Sequence, residues 1–208
     1  MAIQIRSEQE ADTARITEVT ELAFRHAAHT CGREHCIVDG LRGSGALALS
    51  LVAVSDLGIV GHVAASPVTV SEATGDWFGI GPISVLPRCQ RQGIGSRLMD
   101  VALSQLRARG ARGCVLVGDP RFYTRFGFQS DETLVVPGVP VGSEPQFTLY
   151  PMRRSWHSHI SCGLHGRDGR TKRCTEWRPR HAAWQFGSRA GAAIGELSRW
   201  AAHTFCER

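Results

Sequence analysis

The first part of the chain shows two hydrophobic patterns in succession. Ile3 and Ile5 alternate with polar residues, which is the period of a strand. The period then becomes helical, with apolar residues on one face at Ile16, Val19, Leu22 and Ala23. Ser7 and Glu10 have the spacing of a capping box, a side-chain pair that satisfies the first N–H groups of a helix. The pattern therefore predicts a short strand and a helix that opens at Ser7.

The next segments predict a second helix and three strands. Residues 34–42 carry an apolar stripe at helical spacing. The period changes after it, because residues 47–55 and 58–70 are apolar, rich in β-branched side chains and separated by a short turn, as in a β-hairpin. Residues 77–86 predict a further strand, which Pro87 ends because proline has no N–H to donate to a sheet.

A long helix and several short strands follow. An amphipathic pattern runs from the glycines at 93 and 95 to about Arg109. The later elements are a strand, a helical turn and two strand segments, at 114–117, 121–125, 126–136 and 146–150. A strand-rich first part followed by strand, helix and strand predicts an α+β fold, with mixed α and β elements around one sheet.

The composition changes at about residue 152. Residues 1–152 have a net charge of −2, whereas residues 153–208 have +7 and hold four of the five tryptophans. The second segment has no sustained period before a candidate helix at 191–203. We expect one domain over 1–152 and a basic, weakly structured or atypical extension over 153–208. The extension contains no recognised nucleic-acid-binding module, so we expect no nucleic-acid partner; a shifted reading frame would also produce such a sequence.

The composition also bounds where the protein works. No apolar run approaches the roughly 18 residues that a membrane span needs, and the N-terminus lacks the pattern of an export signal. The seven cysteines are an odd number without regular spacing, which argues against a disulfide framework. We therefore expect a cytoplasmic protein with reduced thiols and no membrane partner.

The sequence Q-x-x-G-x-G at residues 90–95 leads from a strand directly into a helix. The first turn of a helix has N–H groups without internal partners and the positive end of the helix dipole, so phosphate groups bind there. Glycine at Gly93 and Gly95 lets the backbone approach an anion, or adopt dihedral angles that a Cβ disfavours. This order predicts an anion-binding turn, to which Arg91 and Arg97 can add positive charge.

Two stretches in the right order resemble motifs of the GCN5-related N-acetyltransferase (GNAT) family. The string GPISVLPRCQRQGIGSRLM, residues 81–99, is similar to motif A, with the family's V-x-P and Q-x-x-G-x-G elements in register. The string LVGDPRFYTRFGF, residues 116–128, looks like motif B, and residues 58–63 look like part of a hairpin of that fold. The resemblance covers about residues 1–150 and is nearest to the YhbS-like branch of predicted acetyltransferases.

The resemblance implies a fold, a cofactor and a set of site residues. Helices would flank a mostly antiparallel central sheet in which the fourth and fifth strands splay apart. Acetyl-CoA would be the co-substrate, with its pantetheine arm along the strand residues Ile83, Ser84 and Val85. Its pyrophosphate would lie on the loop and first helical turn, formed by Arg91, Gln92, Gly93, Ile94, Gly95 and Ser96. Tyr123 matches the tyrosine that commonly protonates the departing thiolate.

The implied reaction is direct attack of a neutral amine on the thioester, so the protein would be an acetyl-CoA-dependent acyltransferase acting on a primary amine of a small molecule or peptide. A non-catalytic acyl-CoA-binding or regulatory protein would use the same fold and loop. Family members often place a glutamate before V-x-P, but residues 77–85 hold no acid. Asp76, Asp119, Ser84 and His62 remain as candidates for the base, and Asp119 fits better as a cap of the following turn. Assembly as a homodimer stays open.

Two groups of histidines and cysteines raise the question of a metal site. The first group is His26, His29, Cys31, His35 and Cys36, and the second is His157, His159, Cys162, His165 and Cys174. Neither group has the spacing of a known zinc motif. We therefore expect no metal, and interpret the first group as part of a lip over the substrate cleft.

Overall fold

The computed structural model describes residues 2–25, 32–70, 76–130, 134–135, 147–151 and 182–186. Its strands and helices are, in chain order, β1 (Gln4–Ser7), α1 (Thr13–Phe24), α2 (Glu34–Gly43), β2 (Leu49–Ser55), β3 (Gly58–Val70), β4 (Trp77–Val85), α3 (Ile94–Ala108), β5 (Gly113–Val117), α4 (Pro120–Tyr123), β6 (Gln129–Ser130), β7 (Leu134–Val135), β8 (Phe147–Pro151) and β9 (Ala182–Phe186). Most of these elements lie where the sequence predicts them.

The strands form one mixed sheet with the order β1-β2-β3-β4-β5-β8-β6. Neighbours from β1 to β4 are antiparallel, β4 and β5 are parallel, and β8 is antiparallel to both β5 and β6. The parallel pair requires a crossover, which α3 supplies. The predicted mixed fold around a mostly antiparallel sheet is confirmed.

The first helix begins later than the sequence predicts. β1 continues through Ser7, and α1 begins only at Thr13, after a 3₁₀ turn. The capping contact at this turn comes from Asp12, whose carboxylate accepts the N–H of Gln9 at 2.7 Å. The predicted capping box of Ser7 and Glu10 is therefore wrong, because pairing with β2 keeps Ser7 in the sheet.

The two faces of the sheet carry different helices. A Cβ built on Gly61 of β3 would lie 3.1 Å from Leu98 of α3, so α3 packs closely on that face. The opposite face is covered by α1, where Thr20 and Ser84 form a side-chain hydrogen bond. The main apolar core includes Ile16, Val19, Leu51, Val63, Leu98 and Leu106, each at most 1% exposed. Each such side chain stabilises the fold by roughly 1.5–3 kcal/mol through burial.

The parallel strands β4 and β5 pair only at their beginnings. The pairing joins Trp77–Gly79 to Gly113–Val115. Beyond Gly79, β4 remains paired with β3, while β5 continues beside β8. The two strands thus diverge and leave a wedge between them, called here the β4–β5 opening. Its closed end is packed by Trp77, because a Cβ on Gly113 would lie only 2.1 Å from the indole ring.

The segment after residue 152 contributes one described strand. β9 pairs antiparallel with the end of β3 and parallel with β7. The boundary at residue 152 stays a prediction, and the candidate helix at 191–203 lies outside the described residues. Among the described helices, none is long and apolar enough to cross a membrane.

Candidate active site

Backbone groups of β4 point into the β4–β5 opening. The Leu86 N–H donates to the Val60 carbonyl on β3 at 2.9 Å, which fixes the direction of the ladder bonds. Because bonding direction alternates along a strand, the backbone groups of Ile83 and Val85 face away from β3. They therefore face the opening, where β5 no longer pairs with them.

The loop after β4 has two residues in the left-handed region. Gly93, directly before α3, has a φ of 80°, and Arg91 has a φ of 58°. Glycine adopts this conformation at little cost, whereas a residue with a Cβ is strained there, as functional loops often are. The amide of Gln90 donates to the Val85 carbonyl at 3.0 Å and so ties the loop to the end of β4.

The loop presents unbonded backbone donors. The Arg97 N–H donates to the Gly93 carbonyl at 3.0 Å and is the first in α3 to find a helical acceptor. Within the described part of the chain, the N–H groups of residues 91–96 donate to no protein acceptor. A Cβ on Gly95 would make only ordinary contacts, 3.7 Å from Phe122 and 3.8 Å from Val85. Packing therefore does not require glycine at 95, which is consistent with close approach of a ligand.

The side chains of this loop are used in different ways. Ile94 is 2% exposed and packs in the core, so only its backbone is available to a ligand. Arg91 and Gln92 are exposed, and Ser96 is half-buried in the first turn of α3. Arg97 donates to the Ile3 carbonyl at 2.8 Å, so its charge is partly committed to β1 rather than to the loop.

Tyr123 lies at the end of α4 and is 8% exposed. Its ring packs edge-on against Phe122 and Phe128, with ring centres 4.9 and 5.9 Å away. The ring also fills the space beside Gly118, where a Cβ would come within 2.5 Å of it. Burial, assisted by the charge of Asp119, raises the pKa of Tyr123 to about 12. The phenol is therefore protonated at neutral pH, as a proton donor must be.

Asp119 starts the turn that carries Tyr123. Its carboxylate accepts the backbone N–H of Arg121 at 2.9 Å, and its carbonyl accepts the N–H of Phe122 at 3.0 Å. The Arg121 side chain, together with that backbone bond, lowers the pKa of Asp119. These contacts match a cap, the role that the sequence favours, and leave this carboxylate poorly suited to act as a base.

The other base candidates occupy different environments. Asp76 is exposed at the start of β4, and its carbonyl accepts the N–H of Arg112 at 2.8 Å. The Ser84 side chain turns to the α1 face, where its hydroxyl lies 3.2 Å from that of Thr20. The backbone groups of Ser84 are directed toward β3, as those of Leu86 are, so neither its hydroxyl nor its backbone faces the opening.

His62 is fully buried on β3, directly opposite Ser84 on β4. Its Nε2 lies 2.8 Å from the Ser50 hydroxyl, which in turn donates to Glu8. Burial lowers the pKa of His62 to about 4; the charge of Glu8 opposes this and that of Arg42 adds to it. The imidazole is therefore neutral at physiological pH.

Glu8 anchors this set of side chains near the surface. Its two carboxylate oxygens accept from Nε and Nη2 of Arg42 on α2, each at 3.0 Å. Burial alone would raise the pKa of Glu8, but hydrogen bonds from Arg42 and Ser50 outweigh it and lower the pKa. Sequence reasoning missed Glu8, Ser50 and Arg42, because strand register brings Ser50 and Glu8 to His62 and the packing of α2 brings Arg42 to Glu8.

Of the histidines and cysteines in the predicted lip, His26, His29 and Cys31 lie outside the described residues. The second histidine and cysteine group also lies outside them. At the start of α2, Nε2 of His35 lies 3.3 Å from the Cys36 sulfur and 3.5 Å from Glu21. No group of three potential metal ligands occurs among the described residues.

Comparison with solved structures decides the family. A GNAT family acetyltransferase from Brucella melitensis, solved in complex with acetyl-CoA, is 44% identical to this chain, with a TM-score of 0.62. The match covers 72% of this chain and 88% of that protein. The chain belongs to the GNAT family. The resemblance seen in the motifs is thereby confirmed.

Other relatives agree. A family model described as an acetyltransferase (GNAT) domain matches residues 47–130. YhbS from Escherichia coli, a GNAT family N-acetyltransferase solved with CoA, is 31% identical with a TM-score of 0.63, over 73% of this chain and 82% of YhbS. The curated sequence of the uncharacterized N-acetyltransferase YhbS of E. coli strain K12 is 39% identical over 94 residues. That match spans 45% of this chain and little more than half, 56%, of the relative.

Proposed function

We propose that this protein transfers the acetyl group of acetyl-CoA to a primary amine of a small molecule or peptide. The observation that carries the proposal is the β4–β5 opening, which leads directly into a loop whose N–H groups at residues 91–96 find no acceptor among the described residues. The GNAT protein from Brucella melitensis binds acetyl-CoA and is 44% identical to this chain. The backbone donors at the start of α3 would hold the same co-substrate in this chain.

In this proposal the cofactor lies along the opening with its pyrophosphate at the start of α3. The N–H groups of residues 91–96 and the positive end of the α3 dipole stabilise the phosphate charges. The backbone of Ile83 and Val85 hydrogen-bonds the pantetheine arm, and the Val85 N–H stabilises the oxyanion that forms at the thioester carbon. The side chain of Ser84 takes no part in cofactor binding, since it faces Thr20.

The reaction proceeds by direct attack of the neutral amine. The tetrahedral intermediate collapses when the carbon–sulfur bond breaks, and the departing thiolate needs a proton or a strong hydrogen bond. Tyr123 supplies it, as its match to the family's tyrosine implies, from a ring packed beside Gly118 at the end of β5. Positioned acids of this kind contribute about a hundredfold to ten-thousandfold to the rate.

One observation favours a second candidate, a non-catalytic acyl-CoA-binding protein. β4 carries no carboxylate that could take the proton of the amine, and Asp119 is held as a cap by its contacts with residues 121 and 122. Both candidates require cofactor binding, and only the enzyme releases thiol from acetyl-CoA when an amine is added. A thiol-release assay with acetyl-CoA and a panel of amines separates them.

Cofactor binding itself is tested by thermal unfolding. Acetyl-CoA should raise the Tm, because a ligand bound only by the folded state stabilises that state. Gly95→Glu should abolish the shift, since it adds bulk and negative charge where the pyrophosphate is proposed to lie. Gly40→Glu is the matched control, because Gly40 is also a helical glycine and no atom lies within 4 Å of its Cβ position. An unchanged shift in Gly95→Glu would remove the assignment of the cofactor loop.

A further inference from the structure

A continuous chain of hydrogen bonds crosses the α1 face of the sheet. Arg42 donates to Glu8, the carboxylate of Glu8 accepts the Ser50 hydroxyl, and Ser50 contacts Nε2 of His62. This series of hydrogen bonds runs from His62 on β3, which is 0% exposed, to Glu8, whose side chain is 18% exposed. It therefore connects the interior beside β4 to the edge of the sheet near the surface. Glu8, Ser50 and His62 are called here the relay.

The chemistry of the relay fixes where its protons are. Glu8 is ionised beside Arg42, and a carboxylate accepts hydrogen bonds without donating them. The single hydrogen of the Ser50 hydroxyl is therefore given to Glu8, and Ser50 must accept from His62. His62 then carries its proton on Nε2, which leaves Nδ1 as an unprotonated base.

This base has no protein partner within the described part of the chain. Nδ1 of His62 is buried, and no described residue donates a hydrogen bond to it. The neighbouring hydroxyls of Thr20 and Ser84, 0% and 1% exposed, bond to each other at 3.2 Å, so one of their two hydrogens has no acceptor among the described residues. Ser84 lies directly opposite His62 across the β3–β4 ladder. One bridging water would satisfy both the spare hydrogen and Nδ1.

The proton balance of the proposed reaction, on which this inference rests, requires an exit path. A primary ammonium loses two protons when it becomes an amide: one before the amine attacks, and one from the tetrahedral adduct. One of the two is matched by the proton that the CoA sulfur gains when the carbon–sulfur bond breaks. The other must leave the protein, and β4 itself has no carboxylate to receive it.

The direction of approach brings this proton to the relay. The proposed pyrophosphate site is the start of α3, which packs on the face of the sheet opposite α1. On this placement of the cofactor, the side of the thioester left for the amine is the side toward α1. The buried hydroxyls of Thr20 and Ser84 lie on that face of β4.

We propose that the relay carries the amine proton from β4 to the surface. The ammonium gives a proton through the Thr20–Ser84 hydroxyls and a bridging water to Nδ1 of His62, and the amine becomes neutral. His62 passes its Nε2 proton to Ser50 as Ser50 passes its own to Glu8, which releases it to solvent. Among the described charged groups near this path, Arg42 donates to Glu8 and to Asp39, and the buried Glu34 lies at the start of α2, which packs against β4. His62 passes the proton from one group to the next and does not contact the acetyl group, so it acts as a positioning residue.

The first test is the protonation state of His62 in the full-length protein. Nitrogen NMR of ¹⁵N-histidine-labelled protein at neutral pH should show a neutral imidazole protonated on Nε2. In Glu8→Gln the new amide can donate to Ser50, which frees the Ser50 hydroxyl to donate to Nε2. The proton of His62 should then move to Nδ1. A parent protein with the proton on Nδ1 would overturn the relay.

The second test is kinetic and uses the best amine from the panel. At about pH 7, His62→Gln and Ser50→Ala should lower kcat about a hundredfold or more, while the acetyl-CoA-induced Tm shift stays near that of the parent. Ser50→Thr is the matched control, because it keeps the hydroxyl, and it should retain most of the activity. The difference in kcat between these variants and the parent should shrink as pH rises toward the pKa of the amine, about 10.4 for a lysine side chain. At that pH much of the amine is already neutral, so no base has to remove its first proton.

A purely structural role gives a different result. Loss of packing would lower activity equally at every pH, and parent-like kcat in His62→Gln with chemistry rate-limiting would show that the proton leaves elsewhere. Either outcome overturns the relay while the proposed acetyl transfer stands. If the parent binds acetyl-CoA and acetylates no amine, the acetyl transfer itself fails, and the relay fails with it whatever the NMR result.

Discussion

The phenol of Tyr123 combines burial with a position beside Gly118, at the end of β5. Tyr123→Phe removes only the hydroxyl, because the ring can keep its edge-on packing against Phe122 and Phe128. We expect acetyl-CoA affinity to stay within a few fold and kcat to fall about a hundredfold to ten-thousandfold, the pattern of a group that acts in the transition state.

The measurement for Tyr123→Phe is steady-state kinetics with calorimetric titration of acetyl-CoA into both proteins. A comparable loss of binding and of kcat would assign Tyr123 to packing. Turnover at the parent rate, with chemistry shown to be rate-limiting, would mean that another group protonates the thiolate.

The short helix α4 depends on one capping side chain, because four residues are too few to form a stable helix alone. Asp119 supplies the cap through the N–H of Arg121. Asp119→Asn keeps an oxygen that can accept this bond, so we expect nearly parental kcat. Asp119→Ala loses the cap, and misplacement of Tyr123 should lower both kcat and Tm. Equal loss of kcat in the two variants would instead identify the carboxylate as a base, and thermal unfolding with steady-state kinetics checks each outcome.

Elements whose signals are local were predictable from the sequence. The loop at residues 90–95 and α3 are specified by neighbouring residues, since Gly93 must adopt a positive φ and an apolar stripe follows it. The cap at Asp119 was predictable for the same reason. The start of α1 was not, because pairing of β1 with β2 overrides the capping signal at Ser7.

The relay could not have been predicted either. His62 could be named as a candidate base, but Ser50 and Glu8 lie 12 and 54 residues from it and meet it only through strand register. A shift of one residue in either pairing would turn these side chains to the other face. That information lies in the three-dimensional arrangement of the strands and not in the residues next to each position.

The buried histidine should also set how the whole molecule responds to acid. The pKa of His62 is about 4 in the folded protein and 6.5 without burial, so between these values only the unfolded chain binds the proton. The free energy of unfolding should therefore fall as pH drops from about 6.5 to 4, by about 3 kcal/mol in total. Glu8 and Asp12 have lowered pKa values, so their stabilisation is lost at still lower pH, as they become protonated in the folded state.

Urea unfolding of the parent and of His62→Gln across this pH range measures the effect. The variant cannot take up the proton at position 62, so its free energy of unfolding should vary less than that of the parent between about pH 6.5 and 4. The steeper loss from the carboxylates below this range should remain in both proteins. Parallel curves throughout would show that His62 is not held neutral in the folded state.

The packing of Trp77 over Gly113 gives the protein a natural optical reporter. Trp77 is the only tryptophan in residues 1–152, and its indole packs over Gly113, where β4 and β5 are still paired. Replacing the other four tryptophans with phenylalanine would leave one fluorophore at the closed end of the opening. Its emission would then report any change in the angle between β4 and β5 when acetyl-CoA enters the opening. The measurement needs no added label, and it can be made before the amine substrate is known.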